Sequence, residues 1–346
     1  MLDDGADMEL VPERESRPTL DEVARLARVS RATVSRVMNS SAQVTPATRR
    51  SVEEAIARLG YVPNRAARSL VTRRTDTIAL VVSEPESRVF SEPFFSAIFQ
   101  GISNAISDTE LQLLMLLAHS EREHSKVERY VRQGHVDGVI LMSLHGDDRL
   151  PRSLHDAAIP TVLVGRPSGS TPLPYVDADN KGGARAAAAY LLSRGRRKIA
   201  TITGRMDMTV AIDRFNGYCE ALAEPGHPLL VADGDFSESG GERAMTTLLV
   251  QHPGLDAVFA ASDPMAFGAL RALRAAGRRV PDEVAVVGFD DVAAARSSDP
   301  PLTTMRQPFD EMAAALSDLL LSQIAGNERR DEHVTCPTKL IPRDSA

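Results

Sequence analysis

The sequence has no tryptophan, and aromatic residues make up only 4% of it, so any aromatic platform for a ligand must come from its ten Phe and five Tyr. Cysteine is scarce too. Cys219 and Cys336 stand far apart with no paired spacing, which excludes a disulfide scaffold and a cysteine-based zinc motif. Two such thiols suit a reducing compartment, where they sit buried or inert. No apolar run approaches the ~18 residues that a membrane span needs. The first fifteen residues are acidic and lack an apolar core segment, so they do not read as a secretory signal. A cytoplasmic location is therefore expected. Catalytic signatures are absent as well: there is no phosphate loop, dinucleotide fingerprint, His-Glu-x-x-His or Gly-x-Ser-x-Gly. The segment His119-Ser-Glu-Arg-Glu-His124 is metal-like in composition, but its spacing suits neither a zinc helix nor a calcium loop, and it reads as a solvated helix start. Asp290-Asp291 imitates a catalytic carboxylate pair, with no nucleophile motif beside it. No cofactor, metal or enzymatic activity is expected.

At 346 residues the chain is long enough for two or three domains. Its net charge of −7 argues against nucleic acid at first sight, but the distribution reverses that. Residues 17–76 hold twelve Arg and five acidic residues, whereas 1–16 carry a net −5 and the remaining 270 residues a net −9. A basic module, all of it arginine, is attached to an acidic body. Arginine suits bidentate contact with phosphate or guanine.

The basic module opens on two short helix patterns. Thr19 and Glu22 have capping-box spacing, followed by Leu20, Val23, Ala24 and Ala27 at helical intervals. Ser30 is placed to cap a second helix carrying Val34, Val37 and Met38. If the apolar positions pack together, Arg31, Ala32, Ser35 and Arg36 face outward. An ordinary amphipathic helix pair would share this pattern, but a short outward helix braced by a preceding one is also the helix-turn-helix arrangement. A third helix starts at Thr45-Pro46 and stops at Gly60. Residues 64–71 form a short Ala-rich segment, readable as a plain linker or as a hinge that folds only when docked, with Leu70 as a minor-groove wedge. Residues 1–16 read as a disordered acidic arm.

From Thr77 onward the texture changes. Apolar strand patterns at Thr77–Val82, 111–117, Gly138–Met142, Thr161–Val164, Ile199–Thr203, 229–232, Ala257–Ala260 and 284–289 alternate with helix patterns at 94–106, 125–133, 182–192, 213–222, 241–250 and 264–276. That alternation predicts an α/β body of parallel sheets flanked by helices, with room for two lobes. Ligands of such sheets sit beyond the strand C-termini, at the cleft between lobes. The polar residues that follow the strands are therefore the candidates: Ser83 and Glu84, Ser143 and His145, Gly165-Arg166, Gly204 to Asp207 with Arg214 in the next helix, Asp235-Phe236, Ser262-Asp263 and Asp290-Asp291. An Arg and an Asp facing one cleft can hold adjacent hydroxyls by charge-assisted hydrogen bonds, and a Phe can cover the apolar face of a sugar. Taken singly, each of these residues could equally be a helix cap or a turn.

The order of motifs resembles the LacI/GalR-type bacterial regulators over about 18–343. The headpiece carries Val29-Ser30, Thr33-Val34-Ser35-Arg36-Val37, Asn39, Val44-Thr45, Thr48-Arg49, Leu59 to Asn64 and Ala67-Arg68-Ser69-Leu70. The body carries Asp137-Gly138, Val176-Asp177 with Asn180, Ile202-Thr203-Gly204, Arg214, Gly234-Asp235-Phe236, Ala261-Ser262-Asp263, Val287 to Asp291 and Pro301 to Gln307. The resemblance implies a helix-turn-helix headpiece (17–63), a hinge (64–75) and a periplasmic-binding-protein-like core (76–346). The implied N-lobe is about 76–177 with 307–336, and the implied C-lobe about 178–306 with 337–346. It implies operator DNA, a small sugar effector and a second copy of the chain as partners. By position, Arg31, Ala32 and Arg36 are implied to read base edges. Ser30, Thr33, Ser35, Asn39 and Asn64 are implied to hold phosphates, and Ala67, Arg68 and Leu70 to form the hinge in the minor groove. Ser83, Glu84, Phe94, Ser143, His145, Arg214, Phe236, Ser262, Asp290 and Gln307 are the effector-site candidates. Gly165-Arg166 stands where several relatives carry Asp, and Met208 where purine-binding relatives carry a charge, which disfavours a purine. The run Phe90 to Phe95 with Leu141 to His145 resembles cellobiose-type repressors, so an oligosaccharide is the expected effector. A dimer is expected, because residues 336–346 lack leucine heptads. The alternatives are an activator, a regulator with a corepressor ligand, or a solute-binding transport protein.

Overall fold

The structure is a computed structural model, and it describes residues 18–38, 43–62, 74–146, 148–169, 171–223, 227–327 and 332–346. The chain divides into two compact units, Met1–Arg74 and Thr75–Ala346. The expected acidic arm, Asn39, and the 64–71 segment with Asn64, Ala67, Arg68 and Leu70 lie outside the described residues.

The first unit contains helices α1 (Leu20–Ala27), α2 (Arg31–Met38) and α3 (Pro46–Leu59). The capping box forms: the Glu22 N–H donates to Thr19 Oγ1 at 3.3 Å, and the Thr19 N–H donates to Glu22 Oε2 at 2.7 Å. α1 ends at Arg28, which takes the left-handed conformation (φ 53°) and turns the chain toward α2. Ser30 Oγ accepts the Thr33 N–H at 3.1 Å, and Thr45 Oγ1 accepts the Thr48 N–H at 3.3 Å. Gly60 closes α3 at φ 60°, a conformation glycine adopts without a Cβ clash. Val23, Ala24, Ala27, Val34, Val37, Val52 and Ala55 are buried together, joining all three helices.

The second unit holds two six-stranded sheets. One contains β1 (Thr77–Val82), β2 (Gln112–Leu117), β3 (Gly138–Met142), β4 (Thr161–Val164), β5 (Tyr175–Ala178) and β11 (His333–Cys336), in the order β11-β5-β4-β3-β1-β2 with every pairing parallel. The other contains β6 (Ile199–Thr203), β7 (Leu230–Asp233), β8 (Ala257–Ala260), β9 (Ala285–Asp290), β10 (Thr303–Arg306) and β12 (Lys339–Ile341), in the order β12-β10-β9-β8-β6-β7, with β12 antiparallel to β10. The chain therefore passes between the sheets three times, after β5, β10 and β11. The helices between strands are α4 (Glu86–Ser91), α5 (Pro93–Ala105), α6 (Glu121–Arg132), α7 (Leu150–Asp156), α8 (Asn180–Ser193), α9 (Thr209–Ala221), α10 (Glu238–Gln251), α11 (Asp263–Ala275) and α12 (Phe309–Ile324). α12 packs Met312, Ala313, Leu316 and Leu320 onto the first sheet, while α8 packs Ala184, Ala187, Ala188 and Leu191 onto the second.

The apolar strands are buried on both faces. Ile78, Leu80, Ile140 and Leu141 are fully inaccessible, each contributing about 1.5–3 kcal/mol of hydrophobic stabilisation. The strand order reverses at β2-β1-β3 and again at β7-β6-β8, and a reversal of this kind opens a crevice at the strand C-termini. α6 begins at Glu121 rather than 125, because Ser120 and Glu123 form a second capping box. The 119–124 segment is thus a capped helix start, and among the described residues no cluster of metal-ligating side chains occurs.

Candidate functional site

In the headpiece unit, α2 is set at its N-terminus by Ser30, whose hydroxyl also lies 2.9 Å from Thr33 Oγ1. Near its other end the Arg49 guanidinium of α3 donates to the Val37 carbonyl at 3.4 Å. Val34 and Val37 face the core, which turns Arg31, Ala32 and Arg36 to solvent and leaves Thr33 and Ser35 half-buried at the edge. Arg31 makes only a loose 3.8 Å ion pair with the exposed Asp21, so its guanidinium can be reassigned at little cost. The result is an arginine-bearing helix face flanked by hydroxyls and braced from behind. Such a face can enter a major groove.

The cleft of the core unit has two chambers that share Phe94, Ser143, Met208, Val210, Arg214 and Gln307 as walls. At their junction lies the buried guanidinium of Arg214, from the α9 helix that follows β6. Its Nε donates to Asn180 Oδ1 at 2.9 Å, its NH1 donates to the Ala261 carbonyl at 2.5 Å, and it stacks 3.7 Å from the Phe289 ring centre. NH1 also lies 3.5 Å from Asp290 Oδ1, which accepts from Gln307 Nε2 at 2.6 Å. Asn180 Nδ2 donates to Asp177 Oδ1 at 2.8 Å, so a carboxylate of the first sheet reaches the arginine through Asn180. Burial pushes the Asp177 and Asp290 carboxyls up to about 6 and pulls Arg214 down from its ordinary value. Acids poised near neutrality beside a buried cation can accept or donate hydrogen bonds to ligand hydroxyls.

Strand ends here carry strained backbone. Ser143 (φ 58°), Phe236 (φ 68°) and Asp290 (φ 125°) follow or end β3, β7 and β9 at positive φ. Bulky residues held there cost ~1–3 kcal/mol each and mark sites where side-chain direction matters. Gly204 makes room for one of them: a Cβ at that position would sit 1.9 Å from Phe236 Cζ.

The structure brings Phe94, Ser143, Arg214, Phe236, Ser262, Asp290 and Gln307 to the chamber walls. It does not bring Ser83, Glu84 or His145 there. Ser83 Oγ turns toward Asp148 Oδ2 (3.3 Å) and His124 Nε2 (3.5 Å). Glu84 and His145 instead form a latch between the lobes. His145 Nε2 lies 2.9 Å from Glu84 Oε1, and His145 Nδ1 lies 3.1 Å from Asp207 Oδ2, which follows β6 on the other sheet. The Gly146 N–H also donates to the Asp207 carbonyl at 2.8 Å. Arg166 adds a second bridge, a bidentate pair with Asp213 at 2.9–3.3 Å. Asp177 and Asn180 escaped the strand-end reading because β5 was not read as a strand, and Arg88 and Glu92 because they lie in and after α4, well past the end of β1. The Asp177–Asn180 spacing in the motif series was the available signal.

Two carboxylates on one imidazole require both ring nitrogens to donate, hence an imidazolium. Burial opposes that charge, but the bonds to Glu84 and Asp207 outweigh it, and the His145 pKa is raised above 6.5. A raised histidine pKa gives stability that is fully present below the unfolded value and lost as pH rises through the folded one. Wild-type protein should therefore melt about 2 °C or more above His145→Gln below pH 6.5, with the gap closing as pH rises through the elevated pKa of the folded state. A gap that holds constant with pH would remove the imidazolium from the latch.

A braced arginine helix and a separate two-lobed core, with a buried charged cluster in a cleft bridged between lobes, define a ligand-responsive DNA-binding regulator. The chain belongs to the LacI family. Residues 19–64 match the family model for bacterial regulatory proteins of the lacI family, and residues 188–346 match the periplasmic binding protein-like domain. The transcriptional regulator CelR of Thermobifida fusca is 49% identical over 338 residues, covering 96% of this chain and 99% of that protein. A solved CelR–cellobiose complex shares 46% identity over 95% of this chain and all of that one, with a TM-score of 0.76. A Lac repressor dimer bound to operator and the anti-inducer ONPF has 26% identity and a TM-score of 0.85, over 95% of this chain and 99% of that one. Both cysteines are free, Cys336 buried and Cys219 partly so, and burial raises both thiols.

Proposed function

We propose that this chain is a dimeric repressor of sugar-utilisation genes, acting on nucleoid DNA in the cytoplasm and released from its operator by cellobiose or a closely related oligosaccharide. The observation that carries the reading is the full-length similarity to CelR, whose solved complex contains cellobiose. The cleft supports it: Arg214 set among Asp177, Asn180 and Asp290 is chemistry for vicinal hydroxyls. Two headpieces would occupy two half-sites of a near-palindromic operator, with Arg31, Ala32 and Arg36 toward the bases and Ser30, Thr33 and Ser35 toward phosphates. Asn39, Asn64 and the hinge residues Ala67, Arg68 and Leu70 would complete the contact. The sugar must bind the DNA-competent and DNA-incompetent states unequally, since equal affinity would shift nothing.

The test is a gel shift on DNA upstream of the protein's own gene, challenged with glucose, cellobiose, lactose and xylobiose. Retarded DNA that cellobiose releases is the expected result. Release by a monosaccharide alone overturns the effector assignment. Retardation that appears only with added sugar makes the ligand a corepressor.

A further inference from the structure

We infer that Arg88 and Glu92 are the specificity-determining pair for the second sugar unit of a disaccharide effector, an inference that rests on the oligosaccharide reading above. The two chambers divide the chemistry unequally. The first, around Asp177, Asn180 and Arg214, is lined for hydroxyl recognition. The second opens off the same junction, and its own walls include Arg88, Glu92 and Phe236. A monosaccharide held at Arg214 needs only one chamber, whereas a disaccharide held there reaches into both.

Arg88 and Glu92 stand four residues apart, at α4 and the step into α5. Arg88 Nε donates to Glu92 Oε1 at 2.7 Å, and Arg88 NH1 lies 2.9 Å from Glu84 Oε1. Their side chains are only 13% and 10% exposed. An ion pair taken out of water gains little stability over an apolar pair of the same shape. This one faces a cavity, where its charged atoms can bond a hydroxyl. Glu92 heads α5 without capping it, so the helix start does not account for the carboxylate. Burial pushes Glu92 up to about 7, so it can be either donor or acceptor near neutrality.

Phe236 supplies the complementary surface. Its ring comes from the other lobe, is held by strained backbone, and lies 5.6 Å from the Arg88 guanidinium carbon. A ring with a guanidinium over it and a carboxylate beside that guanidinium makes one wall of apolar carbon and charged hydrogen-bonding groups, which matches the apolar carbons and hydroxyls of a pyranose. The latch histidine bears on the same arginine indirectly, because Glu84 bonds both His145 and Arg88.

The test compares full-length wild type, Glu92→Gln and Arg88→Met by calorimetric titration with cellobiose and glucose, using operator retardation as the fold control. Cellobiose affinity should fall about tenfold or more in both variants, while glucose affinity stays within about twofold, because only the longer ligand reaches the pair. If glucose binds too weakly to register, an unaltered ligand-free melting temperature of Glu92→Gln, which keeps the shape of the side chain, serves as the second readout. Equal losses for both sugars, or a lowered ligand-free melting temperature of Glu92→Gln, make the pair a scaffold and overturn the inference. Unchanged cellobiose affinity overturns it as well. A wild type that binds lactose or xylobiose in place of cellobiose refutes the effector assignment alone, and the pair is then judged on that disaccharide. If the wild type binds only monosaccharides or none of the panel, both fall.

Discussion

Replacing Arg214 with methionine should leave operator binding in place and abolish release by the sugar. The first half follows from the division of the chain. Arg214 belongs to the Thr75–Ala346 unit, and the headpiece folds around its own seven buried residues. The second half follows from where the guanidinium sits. It is buried, it fills a position between lobes, and its hydrogen bonds fix both Asn180 and the Ala261 carbonyl. Truncating one member of a buried charged network costs about 3–5 kcal/mol of folding stability, and losing two charge-assisted hydrogen bonds to the sugar, about 1.5–3 kcal/mol each, lowers effector affinity by at least about a hundredfold. The carboxylates left behind do not have to remain charged. Asp177 and Asp290 already sit near 6, so proton uptake relieves part of the imbalance and the core can stay folded. Arg214→Lys should fail almost as fully, because an ammonium cannot reproduce the planar fork that reaches Asn180 and Ala261 together. Circular dichroism checks the fold, and the gel shift with sugar gives the result. Full inducibility of either variant would remove Arg214 from the effector site.

The parallel strands were legible because they are buried on both faces and therefore read as unbroken apolar runs, such as Ile-Ala-Leu-Val-Val in β1 and Gly-Val-Ile-Leu-Met in β3. Strands of mixed polarity were not. β10 is Thr-Thr-Met-Arg, yet Thr303 and Thr304 are fully buried, because the Thr303 backbone N–H reaches Ser345 and the Thr304 hydroxyl reaches Asp263. Such polar burial depends on partners about forty residues away, which no local pattern contains. α12 went unread for a related reason: it follows Pro308 and has no side-chain cap to announce it. At the cleft, the strand-end rule found the neighbourhood but not the direction of each side chain. Ser143 and Asp290 turn inward at positive φ, while Ser83 turns toward His124 and Asp148. Glu84 and His145 were drawn to the same crevice by the same rule, and the fold uses them to join lobes instead. The i, i+4 spacing of Arg88 and Glu92 was visible, but their segment carried no helix signal long enough to be read.

Arg36→Ala should weaken operator binding by about 1–3 kcal/mol and relax base preference at a single position in each half-site. The size of the effect rests on the helix that presents it. Arg36 is exposed between Val34 and Val37, both buried, so deleting its guanidinium leaves the headpiece core intact. The loss then reports contact with DNA rather than unfolding. Its sequence dependence separates the two roles open to an exposed arginine. A bidentate contact to guanine loses affinity only where the guanine is present, and leaves the salt dependence nearly unchanged. A phosphate contact loses affinity by a similar factor on every sequence and lowers the slope of log affinity against log salt by about 1. Binding of wild type and variant to operators altered one base pair at a time, at two salt concentrations, distinguishes these outcomes. Uniform weakening with the shallower slope would move Arg36 from the base-reading group to the phosphate-holding one. Base recognition would then fall to Arg31 and Ala32, at the N-terminal end of the same helix.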